Sequence, residues 1–171
     1  MKKLIYVCYS NKGRSLALAT YTRNFLKQFE VGNITVNSAG IGLENIDRLR
    51  ERGIDHASQN TSRILLEEGF DVSSHRLKYF GDIVHGANLI LATDELTFAR
   101  TRAEFPHYKD RTFLARQFAG FERNLEIFGP YAESRKHRMG RKWSETEGYR
   151  DMLREVKVVS KRVASRIARE K

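Results

Sequence analysis

Short apolar runs alternate with amphipathic stretches along the whole chain. Four apolar runs predict β-strands, at residues 4–8, 34–36, 88–92 and 112–115. Apolar residues at helical spacing predict helices after Ser15, after Ser58 or Asn60, after Asp94, and from Ser144 to Lys171. Because the strands alternate with helices, the pattern favours an α/β fold, a parallel sheet with helices on both faces.

Glycine, proline and polar stretches mark where the predicted elements end. Gly32, Gly69 and Pro106 each follow a helical pattern and end it. The stretch 37–40 predicts a turn after the second strand. The charged stretch 44–51 predicts a surface loop that contains a helical turn. These boundaries leave the ends of the apolar strands free to carry functional residues.

The composition is that of a soluble globular protein, with 40% hydrophobic and 30% charged residues. No repeat or linker divides the chain, so we expect a single domain over residues 1–171. No apolar run approaches the roughly 20 residues that span a bilayer, and the N-terminus lacks a signal-peptide pattern. A single cysteine excludes an internal disulfide and favours a cytoplasmic location. We expect neither a cofactor nor a metal.

The net charge of +10 favours anionic partners in general without naming one. The most basic segment is Arg135–Lys142, where five of eight residues are Lys or Arg. We interpret it as a possible contact for a polyanionic substrate, for nucleic acid or for phospholipid. A solvated charge run that binds no specific partner explains the same residues equally well.

The strongest chemical signal is the motif at the end of the first strand, with Cys8, then Arg14 after five intervening residues, then Ser15. A loop of this length can turn its backbone N–H groups inward around an anion, and the following helix adds its positive end. Arg14 can bind two phosphoryl oxygens, and the positive field favours the nucleophilic thiolate of Cys8. The predicted phosphate-binding residues are Tyr9, Ser10, Asn11, Lys12, Gly13 and Arg14. In the alternative interpretation, Cys8 is only a buried apolar residue at a strand end.

Four segments in the same order resemble the low-molecular-weight protein tyrosine phosphatase family. They are the motif at residues 7–15, Asn-Ser-Ala-Gly at 37–40, the stretch 69–76 that ends in His75-Arg76, and Ala-Asn-Leu-Ile-Leu-Ala-Thr-Asp at 87–94. The motif alone is a loose pattern, but the four together are fairly specific. The resemblance implies an α/β fold with a doubly wound four-stranded parallel sheet, in strand order 2-1-3-4.

The resemblance also implies a role for each matching residue. Cys8 would be the nucleophile, Arg14 would bind the transition state, and Ser15 would donate a hydrogen bond to the Cys8 thiolate. Asn11, Ser38 and His75 would form a network that supports the loop. The implied substrate is a phosphorylated protein, with phosphotyrosine as the family's usual group, or a phosphorylated small molecule.

The match fails at one position that matters for catalysis. Where the family carries a general-acid aspartate before Pro and an aromatic residue, this chain has Gly129 before Pro130 and Tyr131. Tyr131 is predicted to line the pocket wall. Glu126 and Glu133 are the candidates for a substitute acid, although each is also explained as a solvated surface charge.

These observations leave two main functional hypotheses. The first is a phosphomonoester hydrolase that forms a cysteinyl-phosphate intermediate. The second is a pseudophosphatase that binds phosphorylated or polyanionic partners without catalysis. An arsenate reductase is disfavoured because it needs further cysteines. A nucleic-acid binder without an active site would leave the motif at Cys8 unexplained.

Overall fold

The computed structural model of the chain describes residues 2–122, 126–127, 129–130 and 144–170. The strands are β1 (Lys3–Cys8), β2 (Thr35–Gly40), β3 (Leu89–Ala92) and β4 (Thr112–Leu114). The helices are α1 (Arg14–Gln28), α2 (Leu43–Glu51), α3 (Gln59–Glu67), α4 (Phe80–Ile83), α5 (Glu95–Glu104), α6 (Ala115–Phe118) and α7 (Glu145–Arg169). A 3₁₀ helix at Pro106–Arg111 precedes β4.

The four strands form one parallel sheet in the order β2-β1-β3-β4. The predicted fold class and strand order are therefore confirmed. At the carboxyl end of the sheet, Cys8 lies opposite Gly40 on β2, and Val7 lies opposite Ala92 on β3. The residues that follow β1, β2 and β3 consequently meet at one edge, which is where ligands bind in sheets of this kind.

The central strand β1 is buried on both faces. Leu4 and Tyr6 pack into the larger core with α1, α3 and α7, whereas Ile5 and Val7 pack into a smaller core on the other face. Residues 4–7 are all fully buried. Burial on both sides explains why this strand is a continuous apolar run instead of an alternating one.

The long helix α7 covers the larger core next to α1. Its predicted apolar stripe is confirmed, since all five members are buried: Met152, Val156, Val159, Val163 and Ile167. The side chain of Ser144 caps the helix by accepting a hydrogen bond from the backbone N–H of Glu147. Within the described residues, no helix combines the length and hydropathy that a membrane crossing requires.

Two local predictions were wrong. The stretch 37–40 is not a turn but the second half of β2, because its backbone pairs in register with residues 5–8 of β1. The stretch 44–51 is not a surface loop but most of α2, since Ile46 anchors that helix in the core with no exposed surface. In both cases tertiary contacts outweigh weak local propensity.

Candidate active site

The side chain of Cys8 lies at the base of a tight loop formed by residues 9–13, the Cys8 loop, which joins β1 to α1. The backbone N–H of Asn11 donates a hydrogen bond to Cys8 Sγ at 3.3 Å. The hydroxyl oxygen of Ser15 lies 2.9 Å from the same sulfur. Both contacts are buried, so the sulfur lies within hydrogen-bond distance of two polar groups of the Cys8 loop and α1.

The direction of the Ser15 hydrogen bond follows from its other partner. The side-chain amide nitrogen of Asn11 donates to Ser15 Oγ at 3.0 Å. Because this oxygen is already an acceptor, its own hydrogen is available to donate to Cys8 Sγ. This geometry matches the arrangement predicted for Ser15.

Asn11 is the residue that gives the Cys8 loop its shape. Its φ of +59° places it in the left-handed region, and the side chain is fully buried. Its side-chain oxygen accepts a hydrogen bond from the backbone N–H of Lys78 at 3.1 Å. This hydrogen bond and those of Asn11 to Cys8 and Ser15 hold the left-handed conformation. That conformation costs roughly 1–2 kcal/mol for most residues other than glycine.

His75 supports the loop from behind. Its Nε2 lies 2.9 Å from the backbone oxygen of Asn11, and since a carbonyl only accepts, Nε2 carries the hydrogen. Burial lowers the pKa of His75 and outweighs the hydrogen bond to Asn11, which raises it. His75 is therefore neutral at pH 7. Ser38, the third predicted member of this network, is buried but makes no hydrogen bond to Asn11 or His75.

The N-terminus of α1 is open toward the Cys8 loop. Gly13 occupies the N-cap position, no side chain caps the helix, and its first turn has no acidic residue. The helix thus keeps free N–H groups and an uncompensated positive end beside Cys8. An anion is the natural partner for such a site.

Gly40 at the end of β2 allows the Cys8 loop to pack against the sheet. A Cβ atom at this position would lie 2.7 Å from the backbone oxygen of Tyr9 and 3.0 Å from the backbone nitrogen of Asn11. Any side chain there would displace the loop. Gly40 is therefore part of the site, although it was assigned only to a turn from the sequence.

The guanidinium group of Arg14 is fixed by two acceptors on neighbouring segments. Its Nη1 donates to Asp94 Oδ2 at 2.5 Å and to the backbone oxygen of Ile127 at 2.9 Å. These bonds use one nitrogen, which leaves the rest of the guanidinium fork for an anion. Arg14 lies at the first residue of α1, on the same side of the loop as the open helix end.

Asp94 is held in place as firmly as Arg14. Its carboxylate accepts hydrogen bonds from Thr93 Oγ1 at 2.9 Å and from the backbone N–H of Thr97 at 2.8 Å. Burial alone would raise the pKa of Asp94, but the charge of Arg14 and these hydrogen bonds together hold it below its usual value. Asp94 is thus ionised at neutral pH.

From the sequence, Asp94 was placed before a helix and at the end of the family segment 87–94, and its ion pair with Arg14 was missed. The sequence did hold a signal for this pair. Asp94 lies just after the end of β3, and Cys8 ends the neighbouring strand β1. Adjacent parallel strands bring such residues to one edge of the sheet.

The structure describes residues 126–127 and 129–130 of the Pro130 segment, which we define as residues 126–130. Ile127 joins this segment to the site through Arg14 and through a 2.6 Å hydrogen bond to the backbone oxygen of Thr93. The carboxylate of Glu126 accepts a hydrogen bond from the backbone N–H of Glu95 at 2.9 Å. A Cβ atom at Gly129 would meet no described atom within 4 Å, and its φ lies outside the left-handed region. Tyr131, Glu133 and the basic segment Arg135–Lys142 lie outside the described residues.

Comparison with known proteins identifies the family. The profile of the low molecular weight phosphotyrosine protein phosphatase family matches residues 3–171. The chain belongs to this family. No protein in a curated collection matches the sequence significantly.

Solved structures of phosphatases share the fold along nearly the whole chain. The low molecular weight protein tyrosine phosphatase from T. tengcongensis has a TM-score of 0.76 at 21% identity, covering 97% of this chain and 99% of that one. YwlE arginine phosphatase from Geobacillus stearothermophilus has a TM-score of 0.74 at 22% identity, covering 99% and 95%. The tyrosine phosphatase Wzb from Escherichia coli K30 has a TM-score of 0.72 at 21% identity, covering 97% and 98%.

In this phosphatase family member, exposed apolar side chains flank the Cys8 loop. Tyr9 is 38% exposed, and a Cβ atom at Gly42 would lie 2.9 Å from its ring, so the ring covers the backbone there. The guanidinium of Arg100 lies 5.8 Å from the centre of that ring. Leu43 and Leu96, which begin the neighbouring turns of α2 and α5, are also exposed.

Proposed function

We propose that this chain is a phosphomonoester hydrolase that acts through a cysteinyl-phosphate intermediate at Cys8. The observation that carries the proposal is the environment of Cys8 Sγ, which receives the N–H of Asn11 and faces the hydroxyl of Ser15. A merely structural cysteine would not need two donors beside an open helix end and a fixed arginine. Family membership supports the phosphatase reaction.

In the first step, the Cys8 thiolate attacks phosphorus and the bond from phosphorus to the leaving oxygen breaks. The N–H groups of the Cys8 loop and the free nitrogens of Arg14 bind the non-bridging oxygens, which carry negative charge in the transition state. The leaving oxygen takes the electron pair and needs a proton. In the second step, water attacks phosphorus, the S–P bond breaks, and the thiolate and inorganic phosphate are released.

The source of that proton decides how fast the enzyme works. General acid catalysis contributes about 10²–10⁴-fold, and Gly129 has no group that can supply it. Of the two substitute candidates, Glu126 is bound to the N-terminus of α5, and Glu133 stays a prediction. We therefore propose an enzyme whose rate depends strongly on the leaving group.

Hydrolysis of aryl phosphates with a range of leaving-group pKa values tests this proposal, with Cys8→Ser as the control. The expected result is activity that disappears in Cys8→Ser and falls steeply as the leaving-group pKa rises. A shallow dependence would instead show that a working acid is present. Glu126→Gln and Glu133→Gln would then be compared, and the variant with the steeper dependence would identify the acid.

A second candidate function is a pseudophosphatase that binds phosphorylated or polyanionic partners. The observation that favours it is Gly129, since the anion site is intact while the acid is missing. Equilibrium binding of phosphate or vanadate, without any turnover that depends on Cys8, would establish this function and overturn the enzymatic one.

The substrate is proposed only as a class, a phosphorylated protein or small molecule. The similar structures include tyrosine phosphatases and an arginine phosphatase, and at these identities they establish the fold alone. Phosphotyrosine and phosphoarginine peptides should therefore be assayed side by side. The rim of Tyr9, Leu43 and Leu96 supports a substrate with apolar surface next to its phosphoryl group. We further propose that the chain acts as one domain in the cytoplasm.

A further inference from the structure

A groove of about 600 Å³ lies between α6 and the last three turns of α7. Its wall contains four cationic side chains, Lys161, Arg162, Arg166 and Arg169, and one acidic side chain, Glu170. The groove is far from the Cys8 loop. Met152 lies beside Gly13, and Lys161 to Arg169 follow it along the helix by roughly 14–25 Å.

Two arginines of the groove are stacked on aromatic rings. The guanidinium of Arg162 lies 4.2 Å from the ring centre of Phe121, and that of Arg166 lies 4.3 Å from the ring centre of Phe118. Arg166 also donates a hydrogen bond to the backbone oxygen of Phe118 at 3.1 Å. Stacking orders these flat cations before any partner binds, which lowers the entropic cost of binding.

Most of the positive charge in the groove is not neutralised. Arg166 pairs with Glu170, but in the part of the chain that the structure describes Lys161, Arg162 and Arg169 have no ion-pair partner. Cations in the last turn of a helix are explained by its dipole, and this accounts for Arg166 and Arg169. It does not account for Lys161 and Arg162, which lie about two turns earlier.

We propose that this groove binds single-stranded nucleic acid, independently of the phosphatase reaction proposed above. Surfaces of this kind combine a basic groove with planar groups on which bases stack, and an exposed guanidinium plane serves that purpose. Arg162 and Arg166 would stack against bases, while Lys161 and Arg169 would bind phosphates. The sequence pI of about 9.9 fits such a partner. A duplex keeps its bases stacked inside, so it cannot use the arginine planes.

Fluorescence anisotropy with a labelled 15-nucleotide single-stranded RNA tests the proposal. The variant is Lys161→Gln/Arg162→Gln/Arg169→Gln, and the matched control is Lys27→Gln/Arg48→Gln/Arg102→Gln, which removes the same charge from exposed positions elsewhere. We expect at least a tenfold loss of affinity in the groove variant and less than twofold in the control. Two phosphate contacts, from Lys161 and Arg169, predict that log K falls against log salt with a slope of about −1.4 in the wild type. Aryl phosphate hydrolysis should be unchanged in both variants.

Arg162→Lys separates stacking from charge, because it keeps the charge and loses the plane. We expect a three- to tenfold loss of RNA affinity with an unchanged melting temperature. Equal losses in the groove variant and the control would overturn the proposal. So would binding of duplex RNA or polyglutamate as tight as that of the single strand, or no binding at 50 mM salt.

Discussion

The Cys8 loop and the Pro130 segment meet at Arg14, but they differ in how they are held in the fold. The Cys8 loop joins a largely buried strand to a long helix. Part-buried hydrogen bonds link the backbone oxygen of Asn11 to His75 and its side-chain oxygen to the backbone N–H of Lys78. The Pro130 segment reaches the site through the backbone of Ile127 and has glycine where the family resemblance places an acid. The half of the site that we propose to bind phosphate is supported by these contacts, whereas the half that would donate a proton has glycine at the position where the resemblance places the acid.

This difference shows that the two tasks of a phosphatase are physically separable. Binding a phosphoryl group depends on backbone N–H groups and a fixed arginine, which the central sheet supplies. Donating a proton depends on one carboxyl group, so a glycine at position 129 is compatible with the fold that the described residues adopt.

The largest effect is expected from restoring the acid. Gly129→Asp should raise kcat for phenyl phosphate by about 10²–10⁴-fold, because the new carboxyl group protonates the leaving oxygen. No described atom lies within 4 Å of a Cβ at this position. Steady-state kinetics measure the gain, and Gly129→Asn controls for bulk. An equal gain in Gly129→Asn would contradict the explanation, and no gain would show that another acid already works.

Loss of the guanidinium group of Arg14 should cost nearly as much. Arg14→Lys should lower kcat/KM by about 10²–10³-fold, since a lysine cannot bind Asp94, Ile127 and the phosphoryl oxygens together. The decisive measurement is kcat/KM with a good leaving group, for which no acid is needed. A loss confined to poor leaving groups would place Arg14 in proton transfer and not in phosphate binding.

Asp94 positions Arg14 and should matter less than Arg14 itself. Asp94→Asn still caps the N-terminus of α5 but removes the negative charge that pairs with Arg14. We expect kcat/KM to fall roughly 10- to 100-fold, which corresponds to the free energy of one charge-assisted hydrogen bond. Phosphate affinity, measured by calorimetry, should fall in parallel. If the melting temperature falls while kcat/KM is kept, Asp94 has only a structural role.

A smaller effect is expected on the free energy of unfolding, where Asn11 should contribute more than Ser38. These two polar residues were predicted to act in the same network. Asn11→Ala should lower the free energy of unfolding by about 2–4 kcal/mol, since it strains a left-handed residue and leaves the N–H of Lys78 without a partner. Ser38→Ala should cost less than about 1 kcal/mol. Urea unfolding of both variants checks the ranking, and equal losses would restore Ser38 to the network.

The smallest effect is the pH dependence due to His75. Its pKa is lower in the folded protein than in the unfolded chain, so the unfolded chain takes up a proton first as the pH falls. The free energy of unfolding should therefore decrease as the pH falls below about 6.5. Urea unfolding at pH 7.5 and 5.5 should show a weaker dependence in His75→Gln. The exposed His85 provides the matched control, and an equal change in His85→Gln would remove His75 as the cause.

The strands and the long C-terminal helix could be predicted from the sequence because they depend on patterns that extend over many residues. The apolar runs located all four strands, and the stripe from Met152 to Ile167 located α7. The pairing of Arg14 with Asp94 across 80 residues was missed, because the positions of the strand ends indicate a shared edge of the sheet but not which side chains pair there. Gly40 and Ile127 contribute to the site through their backbones, and a role of this kind leaves no side-chain pattern in the sequence. The role of Ser38 in the network stays a prediction, since in this structure the amide of Asn11 is bonded to Ser15 and Lys78.

The absence of a second cysteine has a consequence for how long the proposed enzyme would stay active. These 171 residues contain no second cysteine, so a sulfenic acid formed at Cys8 has no neighbouring thiol with which to form a protective disulfide. Further oxidation to the sulfinic acid is irreversible for most proteins. Peroxide would therefore inactivate molecules of the proposed enzyme permanently. Activity would recover only through new synthesis, or through a small thiol that reacts with the sulfenic acid before it is oxidised further.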